Sequence, residues 1–527
     1  MTSSTEQTPV PEAPAGAGQA TSPAQPLAGH AQPAPASGGA SASASDRAVA
    51  RGEGLLPPEA TLDLTPLEAV LSAGALVTDP DVVLAHSQDR AIFSPVGRAR
   101  GLVRARSIED VQAVMRFASE HRVPVIPQGT RTGLAGAANA TDGALLLSLA
   151  AMDQVLEIDT VEQTARVQPG VVNRQLKNAL APHGLAYPPD PGSVDISSLG
   201  GNVATNAGGL CCVKYGVTKD YVRQLTVVLA DGSLTTLGRP TAKGVAGFDL
   251  ASLFVGSEGS LGVVVEIVFD LIPAIPPPLT GVALFDDIKH AGSTITEFMA
   301  SGATPSLLEI IDGVTIGFLN DYGDFGLPDG AAAMILVQSN GDGSLEAAAE
   351  ELAAFQRVAE AQGATEVTVS DDPEDSELFV AARRAVAPAM EKFAATQGGG
   401  ELIDDVCVPR KALTEFFARM ELIAAEHQVI TSVAGHAGDG NMHPAVVFDA
   451  RDEESTRRAH AAFDAIMEAG LELGGTITGE HGVGVLKNTW LARELDPVSQ
   501  RLHLAIKREL DPLGILSPGK MLGELGG

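Results

Sequence analysis

The chain has 527 residues, enough for about two to four domains and a large core. Its 66 acidic residues against 35 basic ones give a net charge of -31, which argues against a nucleic-acid partner or an anionic membrane surface. Three cysteines, Cys211, Cys212 and Cys407, exclude a disulfide framework, and no run of about 18 uncharged apolar residues spans a bilayer.

The first 50 or so residues are Ala, Pro, Ser, Gly and Gln almost throughout, and segment 1–55 is expected to be a disordered tail. It has neither the charged start and apolar core of a secretory signal nor the arginines of a mitochondrial presequence, and the cysteine usage suits a reducing cytoplasm. Globular sequence begins near Leu62. Ser107 and Asp110 are placed as a capping box for a helix to His121, with Ile108, Val111, Val114, Met115 and Ala118 on one face. A short strand at Pro124–Pro127 leads into the glycine-rich loop 127-PQGTRTGLAGAA-138. Strand patterns follow at Ala144–Leu149, Gln154–Ile158 and Thr164–Val167, then a helix at Asn173–His183. A second loop, 190-DPGSVDISSLGGNVATNAGG-209, is dominated by Gly, Ser, Asn and Thr. Strands at Arg223–Leu229 and Leu261–Leu271 flank a third, 254-FVGSEGSLG-262.

The proline cluster 273-PAIPPP-278 marks a domain boundary. Beyond it helix and strand patterns alternate to about Phe448, and helices follow near Glu453–Leu473 and Pro497–Leu510. The domains expected are 62–275, 276–448 and 449–527, in an α+β chain. In the second of these, 434-AGHAGDGNMHP-444 sets two histidines among three glycines, whose cost to a helix argues for a loop or strand edge.

Glycine loops between strands and helices bring backbone N–H groups to phosphates. The spacing of Gly129, Gly133 and Gly136 is not the G-x-G-x-x-G of nicotinamide-binding folds. A near-match to the nucleotide-hydrolase loop, 514-GILSPGKM-521, lacks the Ser or Thr that holds magnesium. Three separate loops suit a larger dinucleotide lying extended between two subdomains.

Taken in order, PQGTRTGL, PDPGS, GGNVATNAGG, VGSEGSLG, GHAGDGNMH, GEHGVG and LSPGK resemble the FAD-linked 2-hydroxy-acid dehydrogenases over roughly residues 90 to 522. That group includes the flavin subunit of glycolate oxidase, D-lactate dehydrogenase (cytochrome) and D-2-hydroxyglutarate dehydrogenase. The resemblance implies a two-subdomain FAD-binding domain of vanillyl-alcohol-oxidase type, an α+β cap domain and a C-terminal helical segment that returns to the flavin. It implies that Pro127, Gln128, Gly129, Thr130, Arg131, Thr132, Gly133 and Leu134 wrap the FAD pyrophosphate. Pro191, Gly192, Ser193, Gly200, Gly201, Asn202, Thr205, Asn206 and Gly208 then hold pyrophosphate, ribityl chain and ring. Glu258, Gly259 and Gly262 fall near the adenosine half, with Val263 and Val264 at the adenine. Lys520 lies close to the flavin, whereas Lys487 reads as a solvated charge. Relatives that bond FAD covalently place a histidine in the first loop; this loop has none, so FAD is expected to be non-covalent.

Oxidising a 2-hydroxy acid takes a hydride from Cα, which flavin N5 can accept, and a proton from the hydroxyl. A divalent metal chelated by hydroxyl and carboxylate stabilises the alkoxide. The expected ligands are His436, His443 and Glu480, two imidazoles and one carboxylate that suit zinc or manganese with a position left open. In the family the histidine beside that glutamate is the base, here His481, and Asn441 orients substrate or a ligand. The substrate carboxylate needs a forked donor. Arg383 and Arg384 are adjacent on a helix and point about 100° apart, so one of them faces the flavin, and the family match favours Arg383. Where the 2-hydroxyglutarate branch carries a lysine, this chain reads Leu402, Ile403, Asp404, which favours a monocarboxylate such as D-lactate or glycolate. D-2-hydroxyglutarate oxidation and a non-redox transferase resembling alkyl-glycerone-phosphate synthase are the alternatives. Quinone, cytochrome, electron-transfer flavoprotein and a partner subunit all remain open as electron acceptor. A homodimer and a location in the cytoplasm, peripheral to a membrane or free of it, are compatible with the sequence.

Overall fold

The computed structural model, which describes residues 42–370, 372 and 376–526, divides its strands among sheets that change character along the chain. After helix α1 (Ala44–Arg51) the first sheet contains β1 (Leu76–Val77), β2 (Gly101–Arg104), β3 (Val125–Gln128) and β4 (Leu145–Ser148) in the order β1-β2-β4-β3. The last three are parallel, and helix α2 (Ile108–His121) makes the crossover from β2 to β3. Its Val111, Val114, Met115 and Ala118 are buried, as the helical spacing requires. Ser107 caps it by accepting from the Asp110 N–H at 3.2 Å. The other half of the expected capping box is absent. The Asp110 carboxylate instead accepts from Arg106 N (2.9 Å) and Ser72 N (2.7 Å), pinning the preceding turns.

The second sheet is antiparallel: β5 (Val155–Asp159), β6 (Thr164–Val167), β7 (Val222–Val228), β8 (Leu234–Gly238) and β9 (Val263–Asp270), ordered β5-β6-β9-β7-β8. Helices α3 (Asn173–Leu180) and α4 (Leu199–Thr205) lie between β6 and β7, so the second glycine-rich loop is not loop throughout.

The proline-rich 273–278 leads into a third, larger sheet of β10 (Leu279–Phe285), α5 (Ile288–Ala300), β11 (Leu307–Asp312), α6 (Gly313–Tyr322), β12 (Ala333–Ser339), α7 (Leu345–Ala361), β13 (Glu366–Val369), α8 (Ser376–Arg384), α9 (Val386–Thr396), β14 (Gly400–Ile403), β15 (Val406–Cys407), α10 (Leu413–His427), β16 (Ile430–His436) and β17 (Asn441–Phe448). Strand order is β13-β10-β12-β11-β16-β17-β14, with β15 on β17, and every pairing is antiparallel. The central strands are apolar on both faces because both are covered: Ile310, Ile335 and Val337 join one core, and Ile311, Met334 and Leu336 another. Against that background a charge in a strand is conspicuous, and Glu309 of β11 is one, fully buried.

Helices α11 (Glu453–Glu472), α12 (Asn488–Glu494) and α13 (Pro497–Leu510) complete the chain. The segment after α13 adds to the first sheet, with Val125 N donating to Ile515 O at 2.7 Å and Ser517 N to Val125 O at 3.0 Å. Buried Lys507 locks this return: its Nζ donates to Asp511 Oδ2 (2.6 Å), Ser260 O (2.8 Å) and Leu516 O (2.8 Å). The tail expectation, drawn to residue 55, overreaches at its end. Ser43 and Asp46 form a capping box, α1 packs on α13, and Ala50 joins Leu504, Leu522 and Leu525 in a small core. Residues 1–41 lie outside the described residues.

Lys507→Met leaves the Asp511 carboxylate buried without its cation, a change that typically costs about 3–5 kcal/mol. Chemical denaturation should show a loss of that size. A loss below about 1 kcal/mol, the scale of an exposed pair, would mean the lysine does not lock the C-terminal return.

Candidate active site

A cavity of about 970 Å³ lies between the glycine loops and one face of the third sheet. The first loop leaves β3 and folds against the start of α4. A Cβ on Gly129 would stand 2.2 Å from Ser198 Oγ, so any larger residue would have to displace that hydroxyl. Thr130 Oγ1 accepts from Ser198 N at 3.1 Å and holds the two loops together. Of the residues expected to hold the cofactor, Pro127–Leu134, Pro191–Ser193, Gly200–Asn202, Thr205, Glu258, Gly259, Gly262, Val263 and Val264 all line the cavity.

Three do not. Asn206 ends α4 in the left-handed region (φ 53°), with its side-chain oxygen accepting from Lys219 N at 2.8 Å. Gly208 backs onto the polar centre, where a Cβ would lie 2.6 Å from Glu480 Oε2. Lys520 braces the first loop from behind, its Nζ donating to Gly136 O (3.0 Å) and Asn139 O (2.6 Å). Burial pushes that amine down to about 8, against the pull of Asp89 and Glu258.

Glu258 lines the cavity, but its carboxylate is already committed: Oε1 accepts from Val483 N (2.6 Å) and Oε2 from Gly484 N (2.8 Å). Burial pushes it up to about 6, and the two N–H groups pull it back. Its place is a clamp on the C-terminal loop.

The stretch 434-AGHAGDGNMHP-444 is a hairpin: β16 ends at His436, β17 begins at Asn441, and the glycines make the turn. His436 and His443 reach the same atom, Glu480 Oε1, at 3.0 and 3.1 Å through their Nε2 atoms. On its other side His436 Nδ1 meets Glu309 Oε1 at 2.7 Å, and Glu309 Oε2 accepts from Arg383 Nε at 2.6 Å. Burial opposes a proton on His436, yet Glu309 and Glu480 together hold its pKa well above the usual imidazole value. His481 stacks on His443 with centroids 4.8 Å apart and planes 9° apart, its Nε2 4.0 Å from Glu480 Oε1. Burial pushes His481 down to about 4 despite nearby Asp405, so it stands neutral.

Asp405, which lies outside the sequence expectations, sets the loop. One oxygen, Oδ2, accepts from Thr478 Oγ1 (2.6 Å), Gly479 N (3.0 Å), Glu480 N (2.9 Å) and His481 N (2.7 Å). Lys487 is no solvated charge: buried, it pairs with Asp404 at 2.9 Å and donates to Ile477 O at 2.8 Å. Asn441 stands behind the cavity wall. It is absent from the lining and packs against the Gly479 backbone, where a Cβ would meet its Oδ1 at 2.3 Å. Arg383 and Arg384 both line the cavity, so the helix face does not choose between them.

The residues fit the expected groups. For FAD there is a cavity of adequate volume, a glycine cradle, and Ser198 Oγ, buried without a protein partner beside it. For a divalent metal there are two imidazole nitrogens converging on one carboxylate oxygen, a donor set that suits zinc or manganese. Glu309 and Asp405 were missed because their partners are 127 and about 75 residues away; the signal available was an acid inside an apolar strand run, LLEIID, and a doubled acid, IDDV.

Among known proteins, an FAD-binding domain family matches residues 99–238, and the C-terminal domain of FAD-linked oxidases matches residues 279–521. The glycolate oxidase subunit GlcD of Bacillus subtilis is 38% identical over 454 residues, covering 86% of this chain and 93% of the relative. A D-lactate dehydrogenase of Anaerostipes hadrus is 35% identical over 445 residues, covering 81% and 91%. A crystal structure of p-cresol methylhydroxylase with substrate bound shares the fold at a TM-score of 0.73 and 18% identity, over 89% of this chain and 99% of that one. With glycine loops, mixed sheets and C-terminal return all in place, the chain belongs to the FAD-linked oxidases and is an FAD-linked oxidoreductase with an FAD-binding domain of vanillyl-alcohol-oxidase type.

Proposed function

We propose that the chain oxidises a D-2-hydroxy monocarboxylic acid, of D-lactate or glycolate type, to the 2-oxo acid. The observation that carries this reading is the convergence of His436, His443 and Glu480 beside neutral His481, with a guanidinium in the same cavity. The names of the relatives, a glycolate oxidase subunit and a D-lactate dehydrogenase, point to the same substrate class.

The chain's own residues divide the work. Arg383 is anchored through Nε on Glu309, which orients the guanidinium and leaves its terminal nitrogens to grip the substrate carboxylate. His481, held neutral by burial, takes the hydroxyl proton as general base. The stack of His481 on His443 and the Asp405 bond to its N–H fix the ring where the hydroxyl would lie. His436, His443 and Glu480 would hold a divalent cation, zinc or manganese, whose chemistry there is to polarise the hydroxyl and ease its deprotonation. Bound FAD, non-covalent because the first loop offers no histidine, supplies the hydride acceptor. The pairing of His481 with Arg383 in one cavity favours oxidation over the transferase alternative.

The purified protein should be yellow and lose its FAD to the supernatant on acid precipitation; flavin retained on the denatured chain would contradict non-covalent binding.

Arg383→Lys replaces a fork with a point charge, so KM should rise and turnover fall. Steady-state kinetics on Arg384→Lys provides the control. If that variant alone shows the defect, the carboxylate is held by Arg384.

Ligand and base should separate cleanly. His436→Ala, His443→Ala and Glu480→Gln should each lose bound zinc or manganese in metal analysis. His481→Ala should keep metal and FAD but slow single-turnover flavin bleaching by roughly 100-fold or more, the usual scale for a general base. Full metal content in the His436 and His443 variants would refute the ligand assignment.

A further inference from the structure

The cavity runs on past the histidines, and this extension has a chemistry of its own. Its floor is the third sheet. Alternate residues of a strand share a face, and Ala434 of β16, Ala445 of β17, and Ile403 and Glu401 of β14 all line the cavity. Register fixes their order. Ala434 stands opposite His443, Ala445 stands between Ser432 and Ile403, and Glu401 stands opposite Val447. Four residues separate His443 from Val447, so the row holding Glu401 lies roughly 13 Å along the sheet at the usual strand rise.

The roof is α9. Val386, Met390 and Ala394 recur every fourth residue on the face that lines the cavity, and Met390 and Ala394 are buried. Floor and roof are thus small or apolar from His443 outwards. The far end changes character: Glu391, exposed, and half-buried Glu401 both line it, with Arg90 contributed by the FAD-binding side. Glu401 Oε2 is enclosed and takes no hydrogen bond from the protein. Burial first and Glu391 second push this carboxyl up to about 7, with Arg90 pulling the other way.

We propose that this extension is a tail subsite: it receives an unbranched apolar side chain of medium length on a 2-hydroxy monocarboxylic acid, and Glu391 and Glu401 reject a second carboxylate there. The subsite rests on the substrate class proposed above, with Arg383 at the head end. An apolar tail displaces water from Ala445, Ile403, Met390 and Ala394 and gains with each methylene buried. A terminal carboxylate would instead be placed beside Glu401 and Glu391, two like charges against the single positive charge of Arg90. The separation of head and rim is set by sheet register and helix spacing, which a flexible loop could not hold.

The test is equilibrium binding to the FAD-loaded protein at pH 8, where Glu401 is ionised, read by calorimetry with butanoate, hexanoate, octanoate, decanoate and sebacate, the last long enough to bring its second carboxylate towards the Glu401 row. These ligands carry head and tail but no hydroxyl, so the readout does not depend on turnover. The dissociation constant should fall about fourfold per methylene from butanoate to hexanoate, and sebacate should bind at least about tenfold more weakly than decanoate. Glu401→Gln should narrow the sebacate gap by about fivefold or more, and Met390→Trp should flatten the chain-length series, with FAD content checked in both. A flat series, no octanoate binding at millimolar concentration, sebacate as tight as decanoate, or a sebacate gap unmoved in Glu401→Gln would each overturn the subsite. The two proposals fail separately. If D-lactate bleaches the flavin while the series is flat, the subsite alone falls. If the series holds and no 2-hydroxy acid bleaches the flavin, the subsite stands and the oxidation reading falls.

Discussion

One oxygen of Asp405 holds the site together. Asp405 lies in the link between β14 and β15, fully buried, and its oxygen collects a hydroxyl and three consecutive backbone N–H groups from 478-TGEH-481. Taking a carboxylate out of water costs several kcal/mol, and hydrogen bonds to a charged group return about 1.5–3 kcal/mol each. Four of them offset burial, which one or two would not. The loop continues under the same logic: Gly482 N donates to Thr478 Oγ1, and Val483 and Gly484 donate to Glu258. Every backbone N–H from Gly479 to Gly484 is therefore held, by Asp405 from the cap side or Glu258 from the FAD-binding side, with Thr478 between. A glycine-rich segment that would otherwise be mobile becomes a rigid strut. Glu480 and His481 point where they do because their own N–H groups have no freedom left.

That strut also explains why three parts of the chain must assemble before any chemistry is possible. The hairpin of β16 and β17 supplies His436 and His443, the C-terminal loop supplies Glu480 and His481, and the FAD-binding side supplies the cradle. Lys507 and Lys520 act at the same junction from the C-terminal end, each donating to carbonyls of the glycine loops or of the returning strand. A buried lysine with two or three carbonyl and carboxylate acceptors is a stiff staple, whereas an exposed one would contribute little.

How much of this was legible depended on the range of the interaction. Periodicity located α2, α13 and the six strands read between residues 124 and 271 to within a residue or two, since apolar spacing is local, whereas the strands of the third sheet were read only as an alternation with helices. Ser107 was legible as a cap for the same reason, but Asp110 was not as a tie to Ser72, 38 residues away. The glycine loops and both histidine motifs could be read because their residue types and order along the chain are themselves the signal, and the backbone comes close to Ser198 and Glu480 at Gly129 and Gly208. That Asn441 lies off the cavity wall, with its side chain towards the Gly479 backbone, was not legible from its place in the motif. Lys487 misled because a lone lysine is normally solvated, and nothing near it in sequence announces Asp404. Glu309, Asp405 and Glu401 stayed unread for a shared reason: an acid in a strand declares burial only after the sheet that covers it is known.

The charges around the histidines leave a further mark on what the site will accept. Ion pairs link Arg383, Glu309, His436, Glu480, His443 and Asp405 in sequence, and Lys487 with Asp404 adjoins them. Four carboxylates, Glu309, Glu480, Asp405 and Asp404, face Arg383, Lys487 and a His436 whose pKa Glu309 and Glu480 hold well above the usual imidazole value, so negative charge is in excess in a nearly dry volume. An anionic head approaching that cluster alone would be repelled, and the wider chain, at -31, offers no relief. Salt screens the wider field beyond about 8 Å, so the local balance decides. A divalent cation held there, as proposed above, would offset the excess and ease the approach of a 2-hydroxy acid's carboxylate to Arg383. Cation and substrate would then be coupled by electrostatics, each favouring the other's binding, through the same carboxylates that tie the loop in place.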